Sequence, residues 1–96
     1  MKIIITRYAR LELDQSAQYY EGRRPGLAAD FIREFEKTYE RIKVHPLSGS
    51  QFCKTIRYQL LNRFPYSVYY IVDGEVITVL AVAHQHRKPG YWQDKK

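Results

Sequence analysis

Residues Arg63 to Trp92 read RFPYSVYYIVDGEVITVLAVAHQHRKPGYW, and this stretch decides the fold. Tyr66 to Val72 is almost entirely β-branched or aromatic, the composition of a strand. Asp73-Gly74 follows, the short-range signal of a two-residue type I′ hairpin. Val76 to Ala83 is apolar on both alternating sets apart from Thr78. Such a run predicts a strand buried on both faces and central in its sheet. That strand delivers the chain into His84-Gln85-His86-Arg87-Lys88-Pro89-Gly90-Tyr91-Trp92, where apolar scaffold gives way to polar, cationic and aromatic side chains.

Upstream, Lys2 to Thr6 reads as a short strand, with Thr6 placed to cap a following helix. From Tyr8 to Glu21 the period becomes helical: Ala9, Leu13, Ser16, Ala17 and Tyr20 share one face, and Leu11 falls off it. Gly22 is the expected stop. Arg23-Arg24-Pro25-Gly26 is a turn, and Pro25 or Gly26 opens a second helix. There Leu27, Phe31, Phe35, Thr38, Tyr39 and Ile42 form the apolar stripe, while Asp30, Arg33, Glu36, Lys37, Glu40 and Lys43 form a solvated face. Val44-His45-Pro46 ends the pattern, because proline removes an N–H and clashes with the preceding turn. Leu47 to Lys54 reads as a loop. Thr55 to Asn62 is a strand with Ile56, Tyr58 and Leu60 on one face and Arg57, Gln59 and Leu61 on the other. The order is β-α-α-β-β-β. It predicts an α+β fold, a mainly antiparallel sheet with an N-terminal helical hairpin packed on one face, in a single domain spanning residues 1–96.

Composition bounds the function. A chain of 96 residues holds one modest core. The net charge of +6 favours a polyanion or an acidic protein partner, or simply solubility. Nine Tyr supply rings with polar tips, suited to surfaces that touch a partner. The single cysteine, Cys53, excludes an internal disulfide and fits a reducing compartment. No run is long and apolar enough for a signal peptide or a membrane span, so the expectation is a soluble, cytoplasmic protein with no membrane partner.

Three groups of residues could carry chemistry. His84 and His86 stand two apart, but no acidic or thiol pattern completes a metal set, so neither a metal nor another cofactor is expected. Cys53 has no local histidine to activate it and reads as a small packed residue. The third is a basic and aromatic cluster: Arg57, Arg63, Tyr66, His84, His86, Arg87, Lys88, Tyr91 and Trp92. Such residues neutralise phosphates and stack on bases, and His, Arg and Tyr also suit metal-free RNA cleavage. Alternatively, Tyr91 and Trp92 fold back over the sheet and the cations are merely solvated. Residue types alone lean to the latter.

Several pieces together carry a resemblance. They are Ala17-Gln18-Tyr19-Tyr20, Pro25-Gly26-Leu27-Ala28, Phe31, Glu34-Phe35-Glu36, and Ile42 with Pro46. The most specific are Arg63-Phe64-Pro65-Tyr66 with Val68 and Tyr69-Tyr70, then Val79-Leu80-Ala81-Val82-Ala83-His84 with Arg87, Pro89 and Tyr91-Trp92. The chain resembles, nearly end to end, the ParE/RelE toxin superfamily, the plasmid-stabilisation toxins of bacterial type II toxin–antitoxin systems. The resemblance implies the same β-α-α-β-β-β fold.

It also implies one of two targets. ParE-like members poison DNA gyrase and are not known to catalyse anything; RelE-like members enter the ribosome and cut mRNA. The RelE-like nucleases use an arginine where this chain has Tyr66, a cation where it has Gln85, and a tyrosine that matches Tyr91. Only the tyrosine is kept, which favours the ParE-like branch. The residues expected to contact the target are then Arg63, Tyr66, His84, Arg87, Lys88, Tyr91 and Trp92. In a ribosome-dependent endoribonuclease acting on mRNA, His84 or His86 would be the base, Arg63 and Arg87 the phosphate cations, and Tyr91 the orienter or acid. The implied partner is a cognate antitoxin, joined to the toxin in a hetero-oligomer, with a tail that folds onto it. An acidic or amphipathic tail would suit the +6 surface, and a hydrophobic groove between the helical hairpin and the sheet is the expected dock. Growth inhibition is the expected effect in cells.

Overall fold

The protein is described as a computed structural model covering residues 2–86. Strand β1 (Lys2–Ile5) leads into helix α1 (Arg7–Arg23) and helix α2 (Leu27–Val44). Four further strands follow: β2 (Ser50–Gln51), β3 (Ile56–Leu60), β4 (Tyr66–Asp73) and β5 (Val76–His84). They form one sheet in the order β1-β5-β4-β3-β2, with β1 parallel to β5 and the other pairs antiparallel. The α+β class, the order of elements and the interior position of β5 agree with the sequence reading. The two-residue β2 lies inside the stretch expected to be loop, where Ser50 pairs with Tyr58.

Each helix end has a chemical cause. Thr6 caps α1: its hydroxyl accepts from the Ala9 N–H at 3.1 Å. Gly22 does not stop α1, which runs on to Arg23. The helix ends at Arg24 because a residue before proline is pushed out of the helical region, and Arg24 is extended at φ −159°, ψ 131°. Gly26 then takes the left-handed conformation, φ 94°, and starts α2. Its N–H and that of Ala28 donate to the Glu21 carboxylate at 3.1 Å, so one side chain of α1 caps the next helix across the turn.

The helices pack on one face of the sheet. Phe31, Phe35 and Ile42 of α2, with Ala9 and Leu13 of α1, meet Val68, Tyr70, Ile77, Val79 and Val82. Burying each large side chain contributes roughly 1.5–3 kcal/mol. The opposite face carries a second cluster, where Ile56 and Ala81 pack with Phe52, Tyr69, Ile71 and Leu80. A β-bulge explains why β5 reads apolar on both sets. Tyr69 faces Ala81 and Tyr70 faces Val79, so Leu80 is the extra residue. The helix-facing set therefore runs Ile77, Val79, then Val82, changing phase once.

The hairpin also differs from its reading. Asp73 pairs with Val76, so the loop is Gly74-Glu75, one residue later than expected. Gly74 has φ 59°, and Arg63 is the one described non-glycine residue with positive φ. One positive φ, at the first loop position, is the pattern of a type II′ turn; type I′ needs two.

Candidate functional site

The bulge aims the end of β5 at α1. Tyr66 and His84 are cross-strand partners, and after the phase change His84 stands on the helix-facing side beside Val82. Their rings lie 5.1 Å apart, edge to face. Tyr66 is 8% exposed, because Phe31 packs edge-on to it at 5.0 Å and Tyr20 at 6.1 Å. Phe64 closes the same aromatic group, 4.9 Å from Tyr20.

This packing leaves two concavities that share Tyr19, Tyr66 and His84. One of about 420 Å³ adds Tyr20, Arg23 and Leu27. The other, about 190 Å³, adds Glu12, Ser16 and Val82. Arg23 lies over the Tyr19 ring at 5.9 Å and donates to its hydroxyl at 3.4 Å. Glu12 accepts from the Val82 N–H at 2.9 Å. β1 pairs with β5 only as far as Val79, so this carboxylate takes up a backbone donor beyond the end of β1.

Two titratable groups of the cleft are shifted toward their neutral forms. Burial raises the Tyr20 pKa, and nearby Tyr66 adds to the effect, so the phenol stays protonated. Burial lowers the His84 pKa, with a further contribution from His86, whose ring is 4.8 Å away. The His86 N–H donates to His84 Nδ1 at 3.0 Å. This bond occupies the Nδ1 lone pair and so favours the neutral tautomer with its proton on Nε2.

The residues singled out from sequence divide. Tyr66 and His84 come together, with His86 beside them. Arg63 is turned toward α2, 3.5 Å from Asp30, and is held there in the left-handed conformation at φ 72°. Arg57 donates to Gly49 O at 2.9 Å and braces a loop instead. Arg87, Lys88, Tyr91 and Trp92 lie outside the described residues. Sequence reading missed Tyr19, Tyr20, Arg23 and Glu12 as site residues. The available signal was the spacing of Tyr19 and Arg23, an aromatic–arginine pair four apart off the apolar face. Among the described residues no three His, Cys, Asp or Glu side chains gather to hold a metal, and no helix is long and apolar enough to cross a membrane.

The chain belongs to the family described as "ParE toxin of type II toxin-antitoxin system, parDE", which matches residues 3–89. Among solved structures it is similar to the "Chromosomal ParDE TA system from P. aeruginosa", at TM-score 0.77 and 22% identity over 88% of this chain and 95% of that one. No protein with a curated description matches the sequence. The family places the chain with the ParE-like toxins rather than the RelE-like ones, and implies a cognate antitoxin.

Proposed function

We propose that this toxin acts by binding and poisoning DNA gyrase, not by cutting mRNA, and that its target surface is built around Tyr66 and His84. The observation that carries this reading is the state of His84. A general base must present a lone pair to the proton it removes. His84 Nδ1 already accepts from the His86 N–H, an arrangement that favours the neutral tautomer with its proton on Nε2. The cation positions agree. Tyr66 stands where the nucleases have arginine and is packed among rings, and Arg63 is paired with Asp30. Arg23 is the one cation lining this cleft among the described residues and is engaged with Tyr19, so a developing phosphorane charge would meet mainly neutral phenols, which do little of the work of preorganised cations.

The same features suit a protein contact. Tyr and Arg dominate interface energies, and Tyr19, Tyr66 and Arg23 line a shared cleft. Arg87, Lys88, Tyr91 and Trp92, the other target residues expected from the sequence, follow His86 in the chain. The antitoxin docks elsewhere in this reading, in the groove between the helical hairpin and the sheet. Pulsed expression of the chain without its antitoxin tests the proposal, reading DNA and mRNA from the same cells. Double-strand breaks with an SOS response and intact mRNA are expected. Codon-phased mRNA cleavage without DNA breaks would overturn it and return His84, His86, Arg87 and Tyr91 to the role of candidate catalysts.

A further inference from the structure

On the far flank of α1 from the Tyr66–His84 cleft lies a groove of about 420 Å³ between β1, α1 and α2. Its floor is apolar: Ile5, Leu13, Ile32, Phe35 and Tyr39. Leu13 and Phe35 are nearly buried at 4% each, and Ile32 and Tyr39 are half-buried. Its rim holds three carboxylates, Asp14, Glu36 and Glu40, against one guanidinium, Arg10. On a chain of net charge +6 this is a reversal of local sign. Among the described residues none of the three carboxylates makes an ion pair or a side-chain hydrogen bond. Glu36 and Glu40 are also four apart on α2, a like-charge spacing that weakens a helix. The groove thus combines an apolar floor with unspent negative charge.

We infer that this groove receives an amphipathic helical segment with apolar anchors on one face and Lys or Arg along its flanks. The inference rests on the antitoxin as the partner and specifies the chemistry of the segment that docks. Anchors spaced three and four apart would seat between the two helices on Leu13, Ile32 and Phe35, as helices fill grooves elsewhere. Their cationic flanks would meet Asp14 on one side and Glu36 and Glu40 on the other. Charge on the rim steers encounter and rejects wrong partners more than it adds affinity. An acidic tail, which suits the chain's overall charge, is repelled at this groove.

A displayed library of amphipathic helical peptides about four turns long tests this, with flank positions varied among Lys, Glu and Gln. It is selected on the full chain and on the Glu36→Lys/Glu40→Lys variant. Both glutamates are exposed, so the variant keeps its fold, which a circular dichroism melt checks. The native chain should retain Lys-rich peptides and the variant Glu-rich ones. The best Lys-rich peptide should bind the variant about tenfold more weakly, and bind the native chain more weakly as salt rises. Recovery of no peptide, of Glu-rich peptides on the native chain, or of the same peptides on both proteins overturns the inference. Toxicity of the native chain is read separately in cells. Its absence would count against the toxin reading while leaving the peptide result to stand or fall alone.

Discussion

Gly49→Ala should be among the most damaging small substitutions in this chain. Gly49 is buried, and a Cβ there would overlap the Tyr70 hydroxyl and lie 2.9 Å from Tyr58 O and 3.1 Å from Tyr70 Cζ. Tyr70 is 0% exposed, so its ring has nowhere to retreat. Its hydroxyl donates to Pro46 O at 2.7 Å, and Arg57 holds Gly49 O at 2.9 Å, which fixes the loop from both sides. Relieving the overlap means moving the hydroxyl off Pro46 or the loop off β3. Overpacking of this kind costs about 1–3 kcal/mol, and a buried polar group left without its partner costs about 1–3 kcal/mol more. A total of about 3 kcal/mol would lower the melting temperature by roughly 12–24 °C in a domain this small. Urea denaturation followed by far-UV circular dichroism, with a constant m-value, measures it. Tyr70→Phe supplies the control. It removes the clashing oxygen, so the double variant should be at least about 1 kcal/mol more stable than the two single losses added together. A Gly49→Ala loss under about 0.5 kcal/mol, or strict additivity with Tyr70→Phe, would refute the reasoning.

Three other substitutions probe separate features. Arg63 sits at φ 72°, so Arg63→Gly should be more stable than Arg63→Ala by about 1 kcal/mol in urea denaturation, both having lost the Asp30 contact; equal stabilities would show that the turn carries no strain. Glu12→Ala should cost about 1–3 kcal/mol by removing the acceptor of the Val82 N–H, with Glu12→Gln recovering part of it; equal losses would show that the bond contributes nothing. The His84 pKa is lowered by burial and by His86, so as pH falls the unfolded chain takes up this proton first. Stability from this residue is therefore full above the unfolded value of about 6.5 and lost as pH falls below it, and His84→Gln should flatten that part of the stability–pH curve, which an unchanged slope would contradict.

The parts of the fold legible in the sequence were those set by period. The stripe of α2 and the β-branched run of β4 each repeat one pattern without interruption. Where two local rules competed, the reading slipped. Gly22 resembles a helix stop, yet the proline at position 25 decides the end, because it constrains Arg24 rather than Gly22. Asp73-Gly74 signals a tight turn but does not separate type I′ from II′, and the register moved by one. The bulge at Leu80 was hidden because Leu80, Ala81 and Val82 are all apolar, so a change of phase leaves no mark in the pattern. Tyr66 and His84 were visible as residue types near one another in a hairpin. Their neighbours Glu12, Tyr19 and Arg23 were not, since contacts such as Glu12 to Val82 span 70 positions and follow from how α1 lies on the sheet.

Helix α1 carries opposite chemistry on its two flanks. Leu13 and Ala17 are buried between them. Arg10 and Asp14 point to the acidic groove; Glu12, Ser16, Tyr19 and Arg23 point to the aromatic cleft. A segment seated in the groove therefore does not touch Tyr66 or His84. This makes occupation of the groove distinct from inhibition. A Lys-flanked peptide that fills the groove should leave growth arrest intact when co-expressed with the toxin, and relief by a full-length antitoxin would then require further chain or bulk over the cleft. Growth curves with and without peptide induction decide the point, with pull-down of the peptide confirming occupancy. If the bound peptide alone restores growth, the groove and the target surface are coupled through α1, and the separation of the two flanks does not extend to function.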